Sequence, residues 1–324
     1  MMSINTQEQP QRPILLVDAA NLFIRNFTVN PTMSSHGVPM GGAVGFMNML
    51  KTLIEMNIPQ QVVVAWEGGG STRRRQLYPE YKANRRPVKL NRFYEDDMPN
   101  TVENRDDQIK AVISCLKHVP IVQVYVPDCE ADDVIAYLVR TRYADKQVVI
   151  ASSDKDFYQL LDDTTKIYRL GKKTFVTKAD MLTEFQISPQ NFALAKALCG
   201  DGSDNIPGVS GLGFKTIARR FPMFSSDEQH TYDAFMTECR RLMTTSKLKI
   251  YQTIADSEDL IKRNLRLVDL DGSMLAPDQR KQIDHVVDTF VPVKNKIGLM
   301  RELIGLGLNE FNVDAFFYAA NSIA

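Results

Sequence analysis

Residues 14–21 read ILLVDAAN: four apolar, strand-favouring residues that stop at an aspartate. The pattern recurs three times. VVVAW at 62–66 stops at Glu67, and IVQVYV at 121–126 is followed within a few residues by Asp128, Glu130, Asp132 and Asp133. VVIA at 148–151 leads through two serines to Asp154 and Asp156. Continuous apolar runs of this kind suit strands buried on both faces of a parallel sheet. Helix-like segments lie between them, at 45–56, 107–118 and 132–143. Strand alternating with helix predicts an open α/β sheet with right-handed crossovers. Beyond about residue 188 the strand signal fades, and helical patterns take over at 190–198, 215–221 and 232–243. One more apolar run, LRLVDL at 265–270, precedes a helical C-terminus.

The bulk properties narrow the class without naming it. At 324 residues the chain exceeds one typical domain and can bury a substantial core. With 44% hydrophobic and 24% charged residues it has an ordinary globular composition. Its 39 basic and 39 acidic side chains cancel, so any case for an anionic partner must come from how the charges are placed. Cys115, Cys129, Cys199 and Cys239 are scattered without a C-x-x-C pair, which argues against a zinc site or a disulfide framework and for a reducing compartment. The polar N-terminus lacks a signal-peptide core, and no apolar run reaches the length of a membrane span. A soluble cytoplasmic protein with no membrane partner is expected.

In an open parallel sheet, ligands bind beyond the carboxyl ends of the strands, so the topology gathers these chain-distant acids at one rim. Any one of them alone would serve as a helix N-cap or first-turn acid. Four strand ends together are a different matter, because that many carboxylates cannot stay ionised in one crevice without a compensating cation. Oxygen ligands with no histidine point to a hard ion, Mg²⁺ or Mn²⁺. Two such ions about 4 Å apart form the clamp of metal-dependent phosphoryl chemistry. The acids do not name the substrate.

Residues 68–97 supply a hint. Between Arg73 and Arg92, Arg73, Arg74, Arg75, Lys82, Arg85, Arg86, Lys89 and Arg92 stand against a single acid, Glu80, with Tyr78, Tyr81, Phe93 and Tyr94 interleaved, before the segment turns acidic at Glu95, Asp96 and Asp97. Cations with aromatics able to stack on bases suit a single-stranded nucleic acid, although a solvated surface loop has a similar composition. The segment leaves directly from the second strand end, which places its cations over the acidic rim.

Residues 198–216, LCGDGSDNIPGVSGLGFKT, combine two further acids, Asp201 and Asp204, with a glycine-rich turn and Lys215. A dinucleotide fingerprint needs a preceding strand and G-x-G-x-x-G spacing, whereas here a helix-like segment precedes Gly208, Gly211 and Gly213. A plain helix–helix connector accounts for any one of these glycines. As a set they form a helix, turn and helix whose second helix start can hold a phosphate without reading sequence.

LVDAAN, YPEYKANR, EADD, SSDKD and GDGSDNIPGVSGLG, in that order, resemble the 5′-nuclease superfamily: flap endonucleases, the 5′→3′ exonuclease domain of bacterial DNA polymerase I, and the bacteriophage 5′-exonucleases known as phage RNase H. The likeness runs from about residue 14 to 221 and extends weakly through NLRLVDLDG. It implies a PIN-like parallel-sheet nuclease core over 12–188, with helices on both faces and an arch-like loop at 68–107. A helical region over 189–324 follows, with a helix-three-turn-helix at about 196–221. It implies a structure-specific 5′→3′ exonuclease or flap endonuclease acting near the 5′ end of DNA or RNA–DNA duplexes through two Mg²⁺ ions, with Mn²⁺ able to substitute. Removal of RNA primers or flaps during DNA replication is the implied role. No polymerase domain follows, so a separate, monomeric nuclease is expected, with branched or nicked DNA and RNA–DNA duplex as substrates. Replication proteins such as a polymerase or a single-stranded-DNA-binding protein are the implied partners.

By the same resemblance, Asp18 matches the first metal-linked aspartate. Glu130 and Asp132 match ligands of the first metal, with Asp133 near it. Asp154, Asp156, Asp201 and Asp204 match the second metal site. Lys82 and Arg85 match the arch base near the scissile phosphate, and Tyr81 a residue that stacks near the substrate's 5′ end. Lys82, Arg85, Asp18 and Asp154 are thus the implied catalytic residues. Arg73, Arg74, Tyr81, Lys82, Arg85, Arg86, Gly208, Gly211, Gly213 and Lys215 are the implied DNA contacts, and a K⁺ ion is implied in the glycine turn. One position departs: the family's usual aspartate after the second strand is Glu67 here, a longer carboxylate still able to reach a metal. Two rivals differ in class. A DNA-structure-binding protein with a decayed site predicts gaps among the acids. A PIN-type ribonuclease predicts no helix-three-turn-helix.

Overall fold

The computed structural model describes residues 11–85 and 101–323. Six strands form one sheet: β1 (Ile14–Asp18), β2 (Gln61–Trp66), β3 (Val122–Tyr125), β4 (Val148–Ala151), β5 (Thr165–Arg169) and β6 (Thr174–Val176). Their order is β3-β2-β1-β4-β5-β6, with all neighbours parallel except β5 and β6. The chain steps outward from β1 to β3, then returns to place β4 on the other side of β1. That reversal opens a crevice between the ends of β1 and β4, where Val17 stands beside both Val64 and Ala151.

The four apolar runs are strands because both faces of the sheet are covered. Leu15 and Val17 of β1 pack with Leu22, Phe23, Phe46 and Leu50 from the helices Ala19–Phe27 and Gly41–Asn57. Ile14 and Leu16 point the other way, into a cluster that includes Ile135, Phe157, Leu198 and Ile217. Helices from the second half of the chain cover this second face, among them Phe192–Cys199, Phe214–Arg220, Tyr232–Thr245 and Glu258–Val268. The last two helices, Lys296–Gly305 and Val313–Asn321, return to the first face through Leu299, Leu303 and Phe316.

The β5–β6 pair carries no clear apolar run in the sequence: TKIYR places lysine and arginine in a strand only five residues long. LRLVDL at 265–270 is no strand. Its first four residues end the helix Glu258–Val268, whose buried side is Ile261, Asn264, Leu267 and Val268, a helical spacing. Among the described residues no helix is long and apolar enough to cross a membrane.

Candidate metal centre and nucleic-acid face

At the β1 end the strand runs into a helix with no loop between, and Asp18 caps that helix by accepting from the Asn21 N–H at 3.0 Å. Its second oxygen accepts from the buried Ser152 hydroxyl at 2.9 Å, and the Asp154 N–H donates to that same hydroxyl at 3.0 Å. Ser152 therefore ties the β1 and β4 ends together. Burial pushes the Asp18 carboxyl up to about 6, with the nearby Asp154 charge adding to the effect. Asp132, in the first turn of the helix Ala131–Tyr137, is raised well above the usual range by burial and by Asp154 and Asp18. Glu67 reaches solvent, but its oxygens accept from the Gly70 N–H at 3.0 Å and the Ala131 N–H at 3.4 Å. Desolvation by surrounding atoms and the Glu130 charge raise it as well.

Glu130 is treated differently. One oxygen, Oε2, takes Lys82 Nζ at 2.8 Å, the Tyr81 hydroxyl at 3.0 Å and Arg74 Nη1 at 3.3 Å. Burial opposes its ionisation, but Lys82 and Arg74 outweigh that, and its pKa falls. The other oxygen, Oε1, is buried and has no hydrogen-bond partner among the described residues. A buried carboxylate oxygen left unpaired is costly unless something absent from the chain occupies the place beside it.

Across the crevice, Asp154 caps the turn Lys155–Leu160, and it too is raised by burial, against the pull of Lys196. Asp156, Asp201 and Asp204 each bring an oxygen to within 4.8 Å of the others. The loop carrying Asp201 and Asp204 is pinched shut at its neck by two glycines. A Cβ on Gly208 would lie 2.0 Å from the Cys199 carbonyl oxygen, and one on Gly200 would lie 2.3 Å from the Gly208 nitrogen. Asn264, fully buried, bridges the same neck, donating to Ala197 O at 3.0 Å and Pro207 O at 2.7 Å. Carboxylates crowded without enough counter-charge, one of them with an orphaned buried oxygen, fit divalent cations held by oxygen alone.

The YKANR segment, Tyr81–Arg85, lies on these acids. The Lys82 N–H donates to Asp204 O at 2.9 Å, Asn84 bonds Asn205 at 2.8 Å, and Arg85 pairs with Asp204 at 2.6 Å. Lys82 takes a left-handed backbone (φ 57°), strained for a residue with a side chain, which carries its ammonium over the Tyr81 ring to Glu130. Cations and metal-type acids thus share one surface.

The sequence model of the 5′-3′ exonuclease family, described as its N-terminal resolvase-like domain, matches residues 13–186. The chain belongs to the 5′-3′ exonuclease family. It is 30% identical to a 5′-3′ exonuclease of Bacillus subtilis over 76% of its own length and 80% of that protein, and 29% identical to one from Aquifex aeolicus over 83% and 89%. It is 31% identical to the thermostable DNA polymerase I of Thermus aquaticus over 78% of its own length, spanning 28% of that larger protein. In fold it is similar to the flap endonuclease of bacteriophage T5, solved as a pseudo-enzyme–product complex with DNA and metal ions. The TM-score is 0.68 at 23% identity, covering 86% of this chain and 98% of that one.

Within this family fold, three expected roles need correction. Arg74 was expected on DNA, but its side chain is only 2% exposed. It grips both Asp133 oxygens at 2.5 and 2.8 Å and donates from Nε to Leu267 O at 2.9 Å. Asp133 is consumed by that pairing, so neither of its oxygens is free for a metal. Tyr81 is buried, and its hydroxyl lies 3.0 Å from Glu130 and 3.3 Å from Asp204, so the ring is not open for stacking. Arg73 and Arg85 do reach solvent, Arg73 while bonded to the Ser273 and Met274 carbonyls. Arg86 lies outside the described residues, as does the middle of the proposed arch. In the glycine turn, Gly211 is left-handed (φ 78°), Gly213 opens onto free space ahead of the helix Phe214–Arg220, and Lys215 is exposed. Gly208 serves backbone packing at the loop neck.

The sequence reading missed Lys196. It is buried in the helix Phe192–Cys199 and pairs with both Asp156 and Asp201, the latter at 2.7 Å. Its signal was available: a lone lysine in the apolar run FALAKALC requires a buried counter-charge.

Proposed function

We propose that this chain is a structure-specific 5′→3′ exonuclease and flap endonuclease that hydrolyses phosphodiesters near the 5′ end of DNA or RNA–DNA duplexes. The observation that carries the reading is the convergence, beside the β1–β4 crevice, of acids from four strand ends and the 201–204 loop under the cationic YKANR segment. The 5′-3′ exonuclease and flap endonuclease activities of its relatives support it. Likeness to DNA polymerase I supports a role in removing RNA primers or flaps during replication.

Asp18, Glu67, Glu130 and Asp132 would hold one divalent cation, and Asp154, Asp156, Asp201 and Asp204 a second. All-oxygen donors suit Mg²⁺, with Mn²⁺ as a substitute. When bound, the pair supplies the positive charge that activates water and stabilises the displaced oxygen in phosphodiester hydrolysis. The chain's own groups do the remainder. Lys82 and Arg85 place positive charge where the phosphoryl oxygens develop negative charge. Ser152 fixes the two strand ends at one spacing, and Tyr81 fixes Glu130 relative to Asp204. Exposed Lys215 and the N–H groups after Gly213 offer a duplex phosphate a hold away from the cut. The division into a nuclease core over 12–188 and a helical region over 189–324, and a K⁺ ion in the glycine turn, belong to this proposal on the strength of the resemblance. K⁺ but not Li⁺ should tighten duplex binding if the ion is there.

The test is cleavage-product mapping on labelled flap, nicked and RNA–DNA substrates, with Mg²⁺ or with EDTA. Short 5′ products in Mg²⁺ alone are expected, and Asp154→Asn should lose cleavage while still binding DNA. Equal cleavage in EDTA, or wild-type cleavage by Asp154→Asn, would overturn the assignment.

A further inference from the structure

The two acid groups are neutralised unequally. Among the described residues no cation bonds Asp18 or Asp132 and Glu130 holds Lys82 and Arg74, whereas Asp156 and Asp201 share the ammonium of Lys196. That ammonium contacts two of the three carboxylates whose oxygens cluster within 4.8 Å. With 7% side-chain exposure it is withdrawn from bulk water and screened little by salt. Lys196 also borders an open cleft of about 460 Å³, lined by Asn21, Ser153, Lys155 and Ser203, into which its flexible stem can turn.

We infer that Lys196 is a built-in counter-cation that competes with the second divalent ion: it neutralises Asp156 and Asp201 in the metal-free chain and leaves them when the ion binds. This rests on the divalent-metal reading above. The physical reason is a choice between two states. A buried carboxylate pair with no cation is strongly destabilised, so the metal-free fold needs the lysine. Once a divalent ion arrives, lysine and ion repel, and the smaller charge yields. The lysine therefore keeps the apo loop folded at the expense of second-metal affinity.

The experiment uses the full chain and Mn²⁺ alone, without nucleic acid, counting free Mn²⁺ by electron paramagnetic resonance. Wild type should bind two ions; no binding at all would sink the metal reading itself. Lys196→Met should tighten one of the two steps by roughly tenfold or more, because a nearby positive charge is gone. Lys196→Arg, which keeps the charge, should not. Lys196→Met should also melt earlier than wild type in EDTA and regain that loss in saturating Mn²⁺, whereas a purely structural lysine would cost stability in both. If Lys196→Met binds Mn²⁺ no tighter than wild type, or Lys196→Arg binds as tightly as Lys196→Met, the inference fails. Should the methionine variant not fold, amine acylation of wild type mapped by mass spectrometry decides. Lys196 should be protected in EDTA and reactive in Mn²⁺, and equal protection in both would overturn the competition.

Discussion

Asp18 and Asp132, on one side of the β1–β4 crevice, and Asp201, on the other, end in opposite electrostatic states. On the first side, Asp18 and Asp132 are crowded and held above their usual pKa range, chiefly by burial. On the second, Asp201 is drawn down to about 2: burial opposes this, but Lys196 and the Ser203 hydroxyl and N–H prevail. Asp18 and Asp132 wait for a cation, whereas Asp201 already carries one, as Glu130 does through Lys82 and Arg74. The difference shows that a run of carboxylates at a sheet rim does not by itself make equivalent ligands; what each acid is ready to do depends on which cation the fold has already placed beside it.

The largest effect that could break this contrast comes from removing one charge on each side. Asp132→Asn and Asp201→Asn should each reduce Mg²⁺-dependent cleavage by roughly a hundredfold to a thousandfold, the scale of losing one preorganised charge-stabilising group. Their metal-free stabilities should move in opposite directions. At pH 7 in EDTA, Asp132→Asn removes repulsion and should raise the melting temperature, while Asp201→Asn leaves Lys196 with one partner fewer and should lower it. Two shifts of the same sign would refute the claim that the sides differ.

Next in size is Arg74→Met. Arg74 neutralises Asp133 and shares Glu130, and it bonds the Leu267 carbonyl of a helix from the second half of the chain. Removing one partner of a buried ion pair costs about 3–5 kcal/mol, which urea unfolding would report. A loss under about 1 kcal/mol, the range of an exposed pair, would return Arg74 to the surface role that its neighbours Arg73 and Arg75 suggest.

Arg74 also shows where sequence reading stops. RRR at 73–75 reads as one basic patch, but consecutive residues on a helix point about 100° apart, and only the middle one faces inward. The strand-end acids were legible because β1 to β4 are apolar runs with abrupt acidic ends, and their convergence follows from topology alone. Asn264 was not, since its partners lie elsewhere in the chain and no local pattern marks it, while the lone lysine in FALAKALC signals burial of Lys196 without naming its partners. Gly208 was misread for a related reason: its constraint is a backbone approach to Cys199, which only the folded loop reveals. Tyr81 stood in a recognised motif, yet its burial between Glu130 and Asp204 depends on how the arch base closes over the 201–204 loop.

The smallest effect sharpens the contrast through pH. Burial raises Asp18 from the ordinary 3.8 to about 6. Between those values the folded chain holds a proton that the unfolded chain has lost, so stability declines as pH climbs through that window and then levels off. Asp132 and Asp154 shift in the same direction and add to the decline. Asp201, lowered from 3.8 to about 2, does the reverse: its stabilisation is complete above the ordinary value and is lost as pH falls towards 2. Glu130, also lowered, acts on the same acid side. In EDTA the melting temperature should therefore pass through a maximum near the ordinary carboxylate pKa, about pH 4, and fall on both sides. Saturating Mg²⁺ should remove the decline above the maximum, because the cation takes the place of the proton on Asp18 and Asp132. It should leave a decline below it, since acid strips the ligands. A profile in EDTA that is flat from pH 4 to 7, or one that Mg²⁺ leaves unchanged there, would mean that the first acids are already compensated, and the two sides of the crevice would be alike after all.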